Sequence, residues 1–216
     1  MSETLVTQGR LTVVKHPLVQ HKLSYLRDAT TPTVHFRKLV NEVTLLLTYE
    51  ATKDFPTEPV EIETPLERMT AQRISGKKVA VCPVLRAGMG MLDGVLSLVS
   101  GARVGFIGLY RDEETLEPVE YYIKLPTDVG DRDAIVLDPM LATGNSSVAA
   151  ISKVKDAGAR SVTLVCLVAA PEGIERVHSV HPEVRIVTAA IDRGLNEKGY
   201  IVPGLGDAGD RLYGTK

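Results

Sequence analysis

The sequence contains no tryptophan, only three phenylalanines and only two cysteines among its 216 residues. A disulfide-rich secreted scaffold needs more cysteine than this. Cys82 and Cys166 lie inside short apolar runs, so we expect both to be small buried side chains in a reducing compartment. Hydrophobic residues make up 44% of the chain, which is enough for one substantial core. We therefore expect a single domain over residues 1–216.

The chain also lacks a strong excess of charge of either sign, because its formal net charge is −2 and its pI is about 6.2. This balance provides no general electrostatic attraction for nucleic acid. No apolar run approaches the roughly 18 residues that span a bilayer. The first residues show no basic segment followed by an apolar one, as a secretory signal would. We expect a cytoplasmic protein with no nucleic-acid or membrane partner.

Several catalytic motifs are missing. The sequence has no Gly-x-Ser-x-Gly elbow and no Gly-Lys-Ser/Thr triplet, so acyl hydrolysis and a P-loop have no support. The five histidines show no metal-ligand spacing. His178 and His181 are three residues apart, but Pro182 follows them, and this pattern favours a surface helix end over a zinc site.

Strand-like apolar runs alternate with amphipathic helices along the chain. Helices are predicted over residues 18–27, 33–52, 88–99 and 147–157 and from Pro171 onward, and strands over residues 78–84, 103–109, 135–137, 162–168 and 184–188. Residues 52–66 are predicted to be a connection, and residues 110–124 an exposed hairpin or flap. The alternation predicts an α/β fold in which helices flank a parallel sheet, with an N-terminal helical segment and a flap.

The most informative stretch runs from residue 134 to residue 147. Four apolar residues precede Asp138, and a loop of small residues that begins at Ala142 then leads into a helix. Small residues let backbone N–H groups approach a ligand, and the helix adds the positive end of its dipole, so the loop is a candidate phosphate site. A carboxylate beside a phosphate site is typical of sugar-phosphate binding. The alternative is an ordinary strand–loop–helix joint with a capping Ser or Asn.

Two arginines also follow predicted strands. Arg86 precedes a glycine after the strand that ends near residue 84, and Arg111 lies at the base of the predicted flap. Ligands of parallel α/β sheets bind beyond the carboxyl ends of the strands. We therefore expect Arg86, Arg111 and Asp138 to converge, and the forked donors of Arg86 suit a diphosphate. Taken singly, either arginine also fits a solvated loop edge.

Glycine-rich segments occur at two other places. Residues 204–209 match G-x-G-x-x-G but have no following strand–helix unit, so they are not interpreted as a dinucleotide site. Residues 88–94 follow a strand, but the third glycine comes one residue late. Residues 199–210 contain exposed backbone groups that suit the edge of a flat heterocycle, although a simple glycine-rich tail has the same composition.

The motifs resemble those of bacterial uracil phosphoribosyltransferases, in the type I phosphoribosyltransferase family. The resemblance extends along nearly the whole chain and is carried by three segments: Val84-Leu85-Arg86-Ala87-Gly88, Asp138-Pro139-Met140-Leu141-Ala142-Thr143-Gly144 and Tyr200-Ile201-Val202-Pro203-Gly204-Leu205-Gly206-Asp207-Ala208-Gly209-Asp210. It implies transfer of ribose 5-phosphate from 5-phospho-α-D-ribose 1-diphosphate (PRPP) to N1 of uracil. The products would be UMP and diphosphate, in pyrimidine salvage.

The resemblance also implies roles for individual residues. Asp138, Arg86 and Asp207 would be catalytic. Uracil would contact Ile201, Gly206, Asp207 and Ala208. PRPP would contact Arg86, Arg111, Asp138, Pro139, Met140, Leu141, Ala142, Thr143, Gly144, Asn145, Ser146 and Asp207. Mg²⁺ would be carried on PRPP rather than bound directly by protein residues. Some members are activated by GTP, and members form dimers or larger homo-oligomers.

One departure from the family pattern concerns the phosphate loop. Similar enzymes usually have a second glycine where this chain has Asn145. Asparagine tolerates positive φ better than most residues, so we expect Asn145 to have positive φ and the loop to keep its geometry. Two alternative functions stay open from the residues: an RNA-binding regulator of a pyrimidine operon, and a nicotinamide-dependent oxidoreductase that uses residues 88–94.

Overall fold

The structure is a computed structural model that describes residues 5–8, 10–76, 79–111 and 118–215, with the backbone alone for residues 5–8, 111 and 118. Its helices are α1 (Pro17–Arg27), α2 (Thr33–Ala51), α3 (Met89–Leu98), α4 (Asn145–Asp156), α5 (Pro171–Val180) and α6 (Ala208–Tyr213). Its strands are β1 (Leu5–Gln8), β2 (Leu11–Val14), β3 (Thr57–Glu63), β4 (Arg68–Ile74), β5 (Ala80–Leu85), β6 (Arg103–Val104), β7 (Phe106–Arg111), β8 (Pro118–Lys124), β9 (Asp133–Leu137), β10 (Met140–Leu141), β11 (Ser161–Ala169), β12 (Arg185–Ile191), β13 (Gly194–Leu195) and β14 (Ile201–Val202).

The main sheet has the strand order β1-β2-β12-β11-β9-β5-β7-β8. Its centre, from β2 to β7, is parallel, and the pairs β1–β2 and β7–β8 at its two edges are antiparallel. The short strand β10 adds to β11, and β6 adds to β5, both in parallel. The predicted α/β fold with a parallel sheet flanked by helices is confirmed.

Both faces of the sheet are buried, which explains the near-continuous apolar runs of its strands. Successive residues of one strand alternate between two core clusters: Val81 and Ile135 lie in the cluster of α1, α2, α3 and α6, whereas Cys82 and Val136 lie in that of α4 and α5. Cys166 is also completely buried in the second cluster, and burial raises the pKa of both thiols to about 12. The prediction of small buried cysteines is confirmed.

Helices α1 to α5 form where the sequence pattern predicts them, whereas α6 was not predicted. In α2, Phe36, Val40, Val43 and Leu47 are fully buried at helical spacing. The predicted inward residues of α4 pack against the second core cluster, Ile151 and Val154 completely and Val148 partly. Gly158 has a φ of +91°, and this left-handed conformation two residues after α4 prevents the helix from continuing.

The prediction of a simple connection over residues 52–66 is wrong. Here β3 pairs with β4 as an antiparallel hairpin outside the main sheet, and Leu66 at its turn is 95% exposed. Neither face of this hairpin is well buried, so its residues lack the apolar alternation that identifies a half-buried strand.

The histidine pair also differs from expectation, because His181 is buried at the end of α5 instead of lying on the surface. Its Nε2 lies 2.9 Å from Ser152 Oγ and its Nδ1 lies 3.2 Å from Lys155 Nζ. The described residues contain no cluster of three or more His, Cys, Asp or Glu side chains that could hold a metal ion.

The predicted flap is an antiparallel pair in the described part: β7 and β8 join side by side, and Tyr110 and Tyr121 on them are exposed. Residues 112–117, at the end of this hairpin, lie outside the described residues. Within the described ranges, no helix has the length and apolar character needed to cross a bilayer.

The contact between α2 and α3 depends on Gly94. A Cβ atom added there would lie 2.5 Å from the carbonyl oxygen of Asn41 and 3.0 Å from Thr44 Cβ. We predict that Gly94→Ala lowers the free energy of unfolding by about 2 kcal/mol, because overpacking outweighs the higher helix propensity of alanine. Gly130→Ala is the matched control, since its nearest neighbour, Gly158 O, would lie at 3.6 Å. Denaturant unfolding measures both variants, and equal stabilities would contradict the prediction.

Candidate active site

The carboxyl ends of three neighbouring strands bring the predicted donor-binding residues to one edge of the sheet. β5 lies between β9 and β7, so Arg86, Asp138 and Arg111 follow adjacent strands. Arg86 is exposed, and the carbonyl oxygen of Arg86 accepts a 2.9 Å hydrogen bond from Tyr213 Oη. The side chain of Arg111 lies outside the described atoms. The strand ends are arranged as predicted, and the contribution of the Arg111 side chain stays a prediction.

The loop after β10 is shaped by close packing. Gly144 has a φ of +83°, and a Cβ atom there would lie 2.9 Å from Gly173 O. Gly144 is the N-cap of α4 and has no side chain, so it leaves the first N–H groups of this 12-residue helix without a capping bond from the N-cap position. These donors and the helix dipole form a site suited to an anion. Thr143 lies in this loop and Ser146 in the first turn of α4.

The expectation of positive φ at Asn145 is wrong. Asn145 is the first residue of α4, a position with helical and therefore negative φ, and the left-handed residue is Gly144, one position earlier. Asn145 Oδ1 instead accepts a 3.2 Å hydrogen bond from Arg176 Nε. Asparagine is tolerated here because the helical backbone suits any L-residue, not because of its tolerance of the left-handed region.

Asp138 is partly buried at the end of β9. Its carboxylate accepts a 3.1 Å hydrogen bond from Ser147 Oγ and a long 3.5 Å contact from the Met140 amide. Burial raises the pKa of Asp138 to about 6, and the two hydrogen bonds oppose this rise without cancelling it. A strongly perturbed carboxylate in a cleft is typical of a functional site.

A cavity of about 230 Å³ joins the Asp138 loop to the glycine-rich C-terminal segment. Its lining includes every residue predicted to contact uracil and three predicted to contact PRPP besides Asp207: Asp138, Met140, Ala142, Ile201, Gly206, Asp207 and Ala208. A larger cavity of about 430 Å³ shares Tyr200, Gly206 and Asp207 but contains neither Asp138 nor the phosphate loop. Of these two cavities, the one of about 230 Å³ is the one that adjoins both Asp138 and the glycine-rich segment.

Pro139 and Leu141 belong to the sheet rather than to this cavity. The Pro139 carbonyl accepts hydrogen bonds from Leu167 N at 3.0 Å and Val168 N at 3.3 Å. Leu141 is completely buried. Both residues hold the loop before α4 against the sheet. Any contact of either residue with a ligand would therefore be made by backbone atoms and not by its side chain.

Asp207 begins α6. Its Oδ1 accepts a 2.9 Å hydrogen bond from the Asp210 amide, so the carboxylate caps this short helix while lining the cavity. The cap fixes the orientation of the carboxylate toward the end of the glycine-rich segment.

An ion pair that the sequence did not reveal holds this segment in place. Arg27 donates to both carboxylate oxygens of Asp192, at 2.8 and 2.6 Å, and to the Gly204 carbonyl at 2.7 Å. Asp192 accepts the Gly204 amide at 2.8 Å. Arg211 adds a 2.8 Å bond to the Leu205 carbonyl. Asp192 follows β12 at the functional edge of the sheet, which is the one signal that could have identified it.

The glycines of residues 88–94 are explained by packing instead of cofactor binding. A Cβ atom at Gly88 would lie 2.5 Å from Leu137 O, and one at Gly90 would lie 2.7 Å from the side chain of Leu212. With Gly94 packed against α2, none of these glycines lines an open dinucleotide loop. This packing argues against the oxidoreductase alternative.

A family model described as uracil phosphoribosyltransferase matches residues 13–215 of the chain. The chain belongs to the uracil phosphoribosyltransferase family. Among its relatives, the uracil phosphoribosyltransferases of Geobacillus sp. (strain WCH70) and Streptococcus mutans are 60% and 58% identical over 208 residues, covering 96% of this chain and 100% of each relative. The resemblance stated from the sequence motifs is thereby confirmed.

Solved structures share the fold of this chain. The AQ2163 protein from Aquifex aeolicus has a TM-score of 0.90 at 39% identity, covering 94% of this chain and 97% of its own. Adenine phosphoribosyl transferase from Trypanosoma brucei, solved with AMP, pyrophosphate and ribose-5-phosphate, has a TM-score of 0.58 at 11% identity, covering 90% and 89%. The second likeness shows a shared fold.

The raised pKa of Asp138 predicts opposite effects on stability and activity in Asp138→Asn. Between about pH 4 and 6 the folded chain retains a proton that the unfolded chain releases, so stability from this group is lost as pH rises through 6. Asparagine has no such loss, so we expect the variant to be more stable at neutral pH by on the order of 2–3 kcal/mol, and equally stable below about pH 4. Its kcat/KM for PRPP should fall by about one to two decades.

Denaturant unfolding at several pH values and steady-state kinetics test these two effects. In wild type, kcat/KM should decline as pH falls below about 6, where Asp138 becomes protonated. A variant with wild-type kinetics would remove Asp138 from the reaction, and a stability difference independent of pH would contradict the ionisation argument.

The ion pair with Asp192 predicts a selective effect of Arg27→Lys on the base. Lysine cannot donate to both carboxylate oxygens and to Gly204 O in one plane, so the glycine-rich segment loses its fixed position. We expect the KM for uracil to rise about tenfold while the KM for PRPP changes less than about twofold. Arg132→Lys is the control, because Arg132 also binds both oxygens of an aspartate, Asp128, at 3.0 and 2.8 Å. A similar rise in both variants, or in both KM values, would refute the selective role.

Proposed function

We propose that the protein converts uracil and PRPP into UMP and diphosphate in the 230 Å³ cavity between Asp138 and the glycine-rich segment. As a member of the uracil phosphoribosyltransferase family, it is a pentosyltransferase of pyrimidine salvage. The observation that supports this site most directly is that Asp138 and the predicted uracil residues line one cavity.

The ribosyl unit of PRPP fits the residues after β9. The carboxylate of Asp138 is placed to accept hydrogen bonds from the ribose hydroxyls, and the N-terminal amides of α4 are placed to bind the 5-phosphate. Met140 and Ala142 line the cavity together with Asp138. The sugar would then lie with its anomeric carbon toward the glycine-rich segment.

Catalysis on this arrangement is mainly electrostatic. As the bond from the anomeric carbon to the diphosphate breaks, positive charge develops on the ribose and negative charge on the leaving group. The ionised Asp138 stabilises the first, and Arg86, with Arg111, stabilises the second. Uracil N1 would form the new bond to the anomeric carbon as the bond to the diphosphate breaks. The carboxylate of Asp207, which lines the same cavity, would accept the proton released from N1.

Magnesium fits this cavity as an ion carried by the donor. Asp138 and Asp207 both line the cavity, and Mg²⁺ typically takes one or two carboxylates together with substrate phosphates and water. When bound, the ion neutralises charge that accumulates on the departing diphosphate. The role of these carboxylates is to receive the donor complex and to orient its ribose.

Uracil would be recognised chiefly by backbone groups. Ile201 and Ala208 are buried at the cavity, and the Arg27–Asp192 pair and Arg211 hold the intervening turn through Gly204 and Leu205. A backbone held in this way presents its donors and acceptors in fixed directions. A fixed N–H group that meets the carbonyl of uracil would meet the amino group of cytosine instead, and two unpaired donors are penalised.

We also propose that the whole chain acts as one domain and assembles into a homodimer or a larger homo-oligomer. One main sheet carries core clusters on both faces, and the β3–β4 hairpin extends outside it with exposed Leu66, Met69 and Ile74. Exposed apolar side chains on a hairpin suit contact with a second copy. Sedimentation equilibrium tests the assembly.

Activation by GTP is proposed from the family resemblance alone, and assays with and without GTP test it.

The test of the proposed function is formation of labelled UMP from [¹⁴C]uracil, PRPP and Mg²⁺. We expect turnover of uracil at least about a hundredfold above that of cytosine, which corresponds to roughly 2.7 kcal/mol of discrimination. A chain that forms no UMP would refute the function, and equal turnover of the two bases would refute backbone recognition. Binding of operon RNA or of NAD in the absence of UMP formation would favour the alternative functions.

A further inference from the structure

Arg176 lies beside the phosphate loop, although no motif pointed to it. α5 packs so close to this loop that a Cβ atom on Gly144 would lie 3.0 Å from Arg176 Cβ. The Nε of Arg176 donates a 3.2 Å hydrogen bond to Asn145 Oδ1 on the first residue of α4. The guanidinium group is therefore held next to the amino end of α4.

This position is electrostatically unfavourable without an anion. The amino end of a helix carries a partial positive charge, and a cation beside it is repelled. Among the described side chains, no carboxylate forms an ion pair with Arg176. Glu172, one turn earlier on α5, uses its Oε1 to accept the Leu195 amide at 3.2 Å. An exposed arginine that lies beside the amino end of a helix and has no carboxylate partner among the described side chains is typical of a site that binds an anionic ligand.

The Asn145 side chain accounts for the orientation of the guanidinium. Its carbonyl oxygen faces Arg176, and a glycine at this position would leave Arg176 Nε without that acceptor. The bond uses Nε alone, so the two terminal nitrogens keep their directions for a ligand. Asn145 is thus a positioning residue, and its carboxamide links α4 to α5 across the phosphate loop.

We propose that Arg176 binds the 5-phosphate of the ribosyl unit together with the amino end of α4, and that Asn145 positions it. This inference rests on the proposed function for the identity of the ligand. It adds a side-chain cation to a phosphate site otherwise formed by backbone amides. Arg176 lies on α5 beside the loop that precedes α4. We therefore expect its guanidinium group to bind the 5-phosphate and not the diphosphate.

The experiment compares wild type with Arg176→Ala, Arg176→Lys and Asn145→Ala. Isothermal titration measures binding of ribose 5-phosphate and of Mg-diphosphate separately, and kinetics measure KM for PRPP and for uracil. We expect Arg176→Ala to weaken ribose 5-phosphate binding and to raise the KM for PRPP about tenfold, with diphosphate binding and the KM for uracil within about twofold of wild type. Arg176→Lys should recover part of the loss, and Asn145→Ala should lose about threefold.

A double-variant cycle and a charge control complete the test. Because Asn145 acts through Arg176, the combined variant should bind ribose 5-phosphate no more weakly than Arg176→Ala alone. Arg160→Ala removes the same charge at the opposite end of the sheet, where Arg160 pairs with Asp133 at 3.0 Å, and it should match wild type. Unchanged ribose 5-phosphate binding in Arg176→Ala would overturn the proposal, and so would an equal loss of diphosphate binding. If wild type forms no UMP, the proposed function fails, while the ribose 5-phosphate titrations still decide the role of Arg176.

Discussion

The position of the glycine-rich segment, residues 199–210, depends on the ion pair between Arg27 and Asp192. The side chain of Asp192 is 4% exposed and that of Arg27 is 25% exposed, so both charges lose much of their hydration. Such burial is compensated only when the geometry is close to ideal and the remaining donors find partners. Here the Gly204 carbonyl accepts from Arg27 and the Gly204 amide donates to Asp192, so the turn at Gly204 is hydrogen-bonded to both members of the ion pair. β12 lies between β2 and β11, so Asp192 is anchored to the rigid centre of the sheet.

The parts of the fold that were predictable are those governed by burial on both faces. Strands such as β9 and β11 are apolar along most of their length because each successive residue enters one of two cores. The place of Asp138 followed from the same pattern, since a polar residue that ends a buried parallel strand reaches the edge where ligands bind. These predictions needed only local sequence.

Other features depend on contacts between residues far apart in the sequence, or on a shift of a single residue. The β3–β4 hairpin buries neither face, so its residues carry no periodic signal. The conformation assigned to Asn145 belongs to Gly144, and a shift of one residue at a helix start changes φ from left-handed to helical. Arg27 and Asp192 are 165 residues apart, and nothing in either neighbourhood identifies the partner. The raised pKa of Asp138 likewise depends on burial in the folded chain, which the local sequence does not show.

The C-terminal segment connects to the earliest helices at several points. Arg211 donates to the Leu26 and Asp28 carbonyls, Arg37 donates to the Leu212 carbonyl at 2.5 Å, and Tyr213 donates to the Arg86 carbonyl. Removal of residues 200–213 would therefore take the backbone acceptors at Gly204 and Leu212 away from Arg27 and Arg37. The strand β9, which precedes Asp138, would keep its ladder partners β5 and β11. The two sides of the cavity thus depend on different parts of the molecule, one on the central strands and the other on the first two helices.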